Sequence, residues 1–203
     1  MTTADMLAAV RTILDETTQS YFQDSAIYKA LQSGQIEAIN LIYSIYKAKK
    51  DTTLPDALIP VSQVKSGTAS SVTTISVPTD LLFLIGAEVT ISGTLKPAYQ
   101  RNFDIRTIFY KYNSLMNNTS DVTYYPVGTN LQFNQTLNGA YNIYYIQNPA
   151  TIVAGVDPVI GLSVHDAIVY YAVAFMLLQD QRSDESAQNF SKFMLLITKY
   201  MGL

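Results

Sequence analysis

The chain holds a single histidine, His165, and an aspartate, Asp166, follows it directly. A histidine base beside a carboxylate would suit nucleophilic hydrolysis, if a nucleophile and a correctly aimed orienting group completed the set. Successive residues on a helix point about 100° apart, so Asp166 is badly placed to orient the imidazole. No Gly-x-Ser-x-Gly elbow supplies the nucleophile. The pair reads better as a helix start, with Ser163 as N-cap and Asp166 three residues on, where a carboxylate favours the positive end of the helix.

Metal chemistry has little to work with. There is no cysteine, which also excludes disulfide scaffolds and thiol catalysis. Asp180, Asp184 and Glu185 cluster around "QDQRSDE" but lack the Asp-x-Asp-x-Asp-Gly order of a calcium loop. Neither the phosphate-binding nor the dinucleotide-binding glycine pattern occurs, and no cofactor is expected. Lys47, Lys49 and Lys50, in "KAKK", could touch a DNA phosphate. They are equally suited to the negative end of a helix, and the acidic balance of the chain favours that role.

The elements that would carry these groups follow from hydrophobic spacing. A short helix is expected over 4–15, with Leu7, Val10 and Leu14 on one face. A longer one is expected over 25–49, capped by Asp24 or Ser25. Its stripe is Tyr28, Leu31, Gln35, Ile39, Ile42 and Tyr46, widened by Ile27, Ala38, Leu41 and Ile45. Gly34 is a weak point in this helix or a place of close packing. Pro55 and Pro60 predict an extended 51–61. Residues 61–77 read as strand, polar connection, strand. Leu81 to Ile85 form an apolar plug before a strand at 86–92, and Phe103, Arg106 and Tyr110 are spaced for a helix face. A hairpin is expected from strands 131–133 and 141–147, turning at Asn138–Gly139. Two antiparallel helices, about 164–180 and 184–201, close the chain. The fold class is therefore α+β: a helical body, made of N-terminal helices and a C-terminal αα-hairpin, with a mainly antiparallel β portion in the middle of the chain.

Composition bounds the rest. The 203 residues suit one domain, or one domain with a substantial extension. Charged residues make up 14%, against roughly 25% in average soluble proteins. Fifteen tyrosines and no tryptophan leave two accounts, a tyrosine-rich β core or surfaces shared with partners. A net charge of −3 argues against a dedicated nucleic-acid binder. The N-terminus lacks the basic and apolar regions of a signal peptide, and the apolar run Ala167–Leu178 falls short of a membrane span, so no membrane partner is expected.

The order of segments carries a further signal. "FQDSAIYKALQSGQIEAINLIY" is followed by "LPDALIPV" and "VPTDLLFLIGAEV". "TYYPVGTNLQF", "YNIYYIQNPATI" and a final helix pair containing "SVHDAIVYYA" complete the series. This arrangement resembles the head-to-tail connector, or portal ring adaptor, proteins of tailed bacteriophages. The chain departs from their pattern at Asn134-Gln135-Thr136, where many have a proline pair, and in a longer, more β-rich 61–96.

The resemblance implies a single adaptor-like domain over 1–203. Within it, 61–96 would be an inserted β-hairpin arm, 120–147 a β-hairpin region and 163–201 the helix pair. It implies a virion structural protein, not an enzyme, in a twelvefold homo-oligomeric ring at the head–tail neck, assembled in the host cytoplasm. Expected partners are further copies, the portal protein, tail or other neck ring proteins, and DNA passing through the lumen without sequence-specific contact. Candidate subunit-interface residues are Ile27, Leu41, Ile45, Tyr144, Ile146, Tyr170 and Tyr171, and candidate lumen residues are Lys47, Lys49 and Lys50. A different neck, tail-completion or tail-hub protein is the alternative, and a soluble hydrolase using His165 a remote one.

Overall fold

The computed structural model describes residues 1–16, 21–101 and 121–203. The helical spacing at Phe103, Arg106 and Tyr110 lies outside the described residues. The chain divides into two compact units: residues 1–61 with 148–203, and residues 62–147. The architecture is α+β, with helices at both ends of the sequence and strands in the middle.

The helical unit begins with α1, Thr3–Ile13, held by a capping box. The Asp5 amide donates to the Thr2 hydroxyl and the Thr2 amide donates to the Asp5 carboxylate. Helix α2, Asp24–Lys49, follows. Its N-cap is Gln23 with no side-chain bond, where Asp24 or Ser25 was expected. Asp24 lies in the first turn and accepts a hydrogen bond from Arg11 at 2.5 Å. A charge-assisted bond of this kind outweighs a cap to a neutral amide. Arg11 also donates to the Phe22 carbonyl and lies 3.5 Å from Glu16, so one guanidinium links α1 to the start of α2.

Residues Asp56–Val61, expected extended, form a 3-10 turn. Pro55 serves there as an acceptor, taking the Leu58 amide at 2.8 Å, and Pro60 lies near the end of the turn, where a missing N–H costs least. The chain returns to this unit at Asn148 and runs to Gly161 without helix or strand. Helices α3, His165–Gln179, and α4, Ser183–Tyr200, then form the expected hairpin. A 3-10 turn, Leu162–Val164, precedes α3 and makes Val164 its N-cap, so Ser163 does not cap it.

Side chains secure the irregular 148–161 stretch. The Gln35 Oε1 accepts the amides of Val159 at 2.8 Å and Ile160 at 3.4 Å, and the Gln32 Oε1 accepts that of Ile152 at 2.9 Å. Thr3 donates its amide to Asp157 and its hydroxyl to the Val156 carbonyl, both at 2.6 Å. Gln35, the polar residue in an apolar stripe, is fully buried because it feeds these amides. Gly34 is the close packing point: a Cβ there would lie 3.1 Å from the Tyr171 ring and 3.2 Å from the Ile168 carbonyl.

The β unit contains β1 Ser62–Ser76, β2 Leu81–Ile91, β3 Thr94–Gln100, β4 Val122–Val127 and β5 Asn130–Gln147. The sheet order is β1-β5-β2-β3-β4, and β4 also pairs with β5, which closes β5-β2-β3-β4 into a small barrel. The β3–β4 pairing is parallel and the others antiparallel, so the sheet is mixed. Leu131, Phe133, Leu137 and Ile143 of β5 line its core with Val89, Val122 and Tyr124.

Three local expectations change here. Asn138–Gly139 is not a hairpin turn but lies within β5, opposite Ser70 and Ala69. Continuity keeps Leu131, Phe133, Leu137 and Ile143 on one side of the strand, and burying that whole side outweighs a local turn preference. The turn falls instead at Gly128–Thr129, where Gly128 has φ +57°. Gly139 keeps a φ of +110° because Thr90 crowds it, 3.0 Å from any added Cβ. Residues 62–76 form one strand with irregular register after Ser70, and the apolar stretch Leu81–Ile85 is part of β2. Within 61–96, β1 pairs with β5, while β2 forms its hairpin with β3.

Two predictions follow from this packing. Gly34→Val should destabilise the protein by about 1–3 kcal/mol through overpacking against α3, read by denaturant unfolding. Burial pushes the Tyr124 phenol from 10.0 up to about 12. The folded state therefore favours the protonated phenol. Its contribution is whole below pH 10 and is lost as pH rises through 10 towards 12. Tyr124→Phe should remove that part of the alkaline destabilisation, measured by melting temperature against pH.

Candidate interaction surface

His165 is only 2% exposed. Its Nε2 lies 3.0 Å from the Ile160 carbonyl, an acceptor, so Nε2 carries the proton and donates. Its Nδ1 lies 3.1 Å from the Met1 carbonyl and 3.3 Å from the Met1 amine. Asp166 is exposed, whereas the ring beside it in sequence is buried. The imidazole thus fixes the end of the 148–161 stretch against α3, and among the described residues its hydrogen-bond partners are Ile160 and Met1.

The carboxylates expected around the α3–α4 loop are dispersed. Asp180 accepts the Tyr21 hydroxyl at 2.9 Å, a bond that raises the Tyr21 pKa. Glu185 is bound to Arg182, and Asp184 is exposed in the first turn of α4. Among the described residues no three metal-ligating side chains come together.

The lysines end α2. Lys50 adopts the left-handed C-cap conformation, with φ +56°. Lys49 donates to the Met201 carbonyl at the end of α4. The Lys47 ammonium lies 5.4 Å from the Tyr43 ring centre and 5.9 Å from that of Tyr46. Lys47 and Lys49 thus have partners within their own unit.

The seven candidate interface residues separate by burial. Ile27 and Ile146 have no exposed surface, since each fills the core of its own unit, and neither is available to a neighbour. Leu41, Ile45, Tyr144, Tyr170 and Tyr171 are half-buried. The Tyr144 hydroxyl donates to Glu88 at 2.6 Å, and this bond, with burial and the Glu88 charge, raises its pKa. The Lys192 ammonium sits 5.2 Å from the Tyr170 ring centre. Tyr171 packs against Phe193 at 5.2 Å and Phe190 at 6.1 Å, and burial first, then Glu37, raises its pKa.

Beside Tyr171 lies a surface that the sequence reading missed. Helices α3 and α4 form an open groove of about 360 Å³, lined mainly by Tyr171, Ala174, Phe175, Leu178, Ala187 and Phe190. Phe175 is 37% exposed, Leu178 60% and Phe190 42%. On α4 the inward positions Phe193 and Ile197 are fully buried, while Phe190 lies at the groove. The available signal was the near-uniform hydropathy of α3, which left no polar face to meet water. The window Leu162–Gln179, wider than the apolar run Ala167–Leu178, is long and apolar enough to cross a membrane by length and composition alone, but 56% of it is buried in the fold, as in a core helix.

This surface separates two functions for one helix pair. Leu178→Asp should change the melting temperature little, because the side chain is mostly solvated. Phe193→Ala should cost about 3–5 kcal/mol, because it empties a buried position. Thermal unfolding of the two variants compares them directly.

Curated proteins include no match to this chain. The family model described as SU10 adaptor protein matches residues 1–202. The chain belongs to the SU10 adaptor protein family, a family of phage head-to-tail adaptors.

Proposed function

We propose that this protein is a ring-forming adaptor in the virion neck, joining the portal to the tail around the DNA channel. The observation that carries this reading is the match to the adaptor family over residues 1–202. A twelvefold ring needs a heterologous contact, in which one patch meets a different patch on the next copy and the rotation closes. The groove between α3 and α4 supplies one such patch within the helical unit, and half-buried Leu41, Ile45, Tyr144, Tyr170 and Tyr171 supply others.

A lumen suited to DNA passage holds phosphates loosely, because tight neutralisation releases counterions and traps the duplex. The net charge of −3 agrees with that requirement. Lys47, Lys49 and Lys50 lie exposed at the end of α2 and are the cationic candidates for a passing contact. Assembly takes place in the host cytoplasm, and the mature location is the neck.

The test is a cryo-electron microscopy reconstruction of the virion neck, with sedimentation of the purified chain alone and mixed with portal. A ring of this chain between portal and tail is expected. Leu178→Asp combined with Phe190→Asp should abolish ring formation while the chain stays folded. Absence from virions, together with a monomer in both sedimentation experiments, would overturn the reading. Density at the tail hub would replace it with the tail-protein alternative.

A further inference from the structure

The helical unit is electrically polarised along α4. Where α3 turns into α4 it carries Asp180, Asp184 and Glu185, and Arg182 is the single cation of Asp180–Ala187. Acids in the first turn of a helix are ordinary, because they face the positive end of its dipole. Asp180 is not ordinary. It is the C-cap of α3, at the negative end of that helix, where a carboxylate is unfavourable. Arg182 is held by Glu185, so this end of α4 stays net negative, with Asp184 exposed.

The other end of α4 is basic. Lys199 is exposed in the last turn, and the bond from Lys49 to the Met201 carbonyl brings the end of α2, with Lys47 and Lys50, to the same place. These four lysines, against Asp51 and Asp56, leave that end net positive. The 18 residues of α4 separate the two ends by about 27 Å at 1.5 Å per residue. Apolar surface accompanies each charge, in opposite forms. At the acidic end it is concave, the groove where Phe175, Leu178 and Phe190 are exposed. Asp184 stands one turn before Ala187, a residue of the groove wall. Towards the basic end it projects: Leu195 is 64% exposed and lies one turn before Lys199 on the same outward face of α4.

We propose that the occupant of the α3–α4 groove is the basic end of α4 from the next copy of this chain, with Leu195 entering the groove and Lys50 and Lys199 facing Asp184. Charge complementarity selects this occupant, since the acidic rim and the basic end belong to one unit and every copy offers both halves. One patch then meets a different patch on each successive copy, which is the heterologous contact a ring requires. Groove-to-groove pairing would instead set two acidic rims against each other. This inference rests on the adaptor reading for the ring in which the contact closes.

Charge reversal tests it, with assembly followed by sedimentation of the full chain mixed with portal. Asp184→Lys alone, and Lys50→Glu with Lys199→Glu, should each weaken ring assembly by about 10-fold or more, because like charges then meet. All three substitutions together restore opposite charges and should recover assembly. The three side chains are exposed, so melting temperatures should change little. Rings that form equally well in every variant would overturn this inference and leave the adaptor reading standing. Loss in the first two variants without recovery in the combined one would give the groove to a different protein, and would overturn it as well. A natural chain that forms no ring with portal and is absent from virions would overturn both.

Discussion

The helical unit depends on hydrogen bonds from side chains to bare backbone. Its two pieces of chain, 1–61 and 148–203, are separated in sequence by the whole β unit. The returning segment 148–161 has no helix or strand to satisfy its own amides. An unpaired buried amide costs about as much as a lost hydrogen bond, so each needs a partner. Gln35 serves two amides, Gln32 serves one, and Thr3 and His165 fix the neighbouring positions. With those bonds in place the apolar faces of α2 and α3 can meet as closely as Gly34 permits.

The barrel solves its own version of the problem with one long strand. β5 pairs with β1 along one side, and on the other with β4 near its start and β2 near its end. A single strand that changes partners along its length must bend, and the strained positions mark where. Ser71 has φ +52° and gives its amide to Asn138, while Gly139 lies in the left-handed half of conformational space beside Thr90. The glycine is required there because a side chain would meet both an unfavourable φ and the Thr90 methyl.

Low charge has a structural meaning in this chain. Many of the charges present are committed locally: Arg11 with Asp24 and Glu16, Arg182 with Glu185, Lys49 with a helix end, Glu88 with Tyr144. The tyrosines serve both as core and as surface. Tyr124 is buried in the barrel, Tyr171 stacks between helices at the rim of a groove, and Tyr21 and Tyr99 are exposed. The family match, to a phage structural adaptor, is in keeping with a chain whose charges are spent on local contacts.

The sequence by itself determined the helices, the fold class and the family resemblance. Helical periodicity is local, so α1 to α4 were legible to within a few residues from stripes such as Leu31, Gln35, Ile39 and Ile42. That neighbours such as His165 and Asp166 diverge on a helix was legible too, because adjacent helical residues do so whatever surrounds them. Tertiary structure decided what each apolar residue faces. Ile27 and Phe190 look alike in a stripe, yet one is sealed in the core and the other lines an open groove. It also decided the strand partners: Asn138–Gly139 reads locally as a hairpin turn, and only a barrel core needing all of β5 on one side overrides it. Burial and pairing are set by residues distant in the chain, and spacing along the sequence carries no record of them.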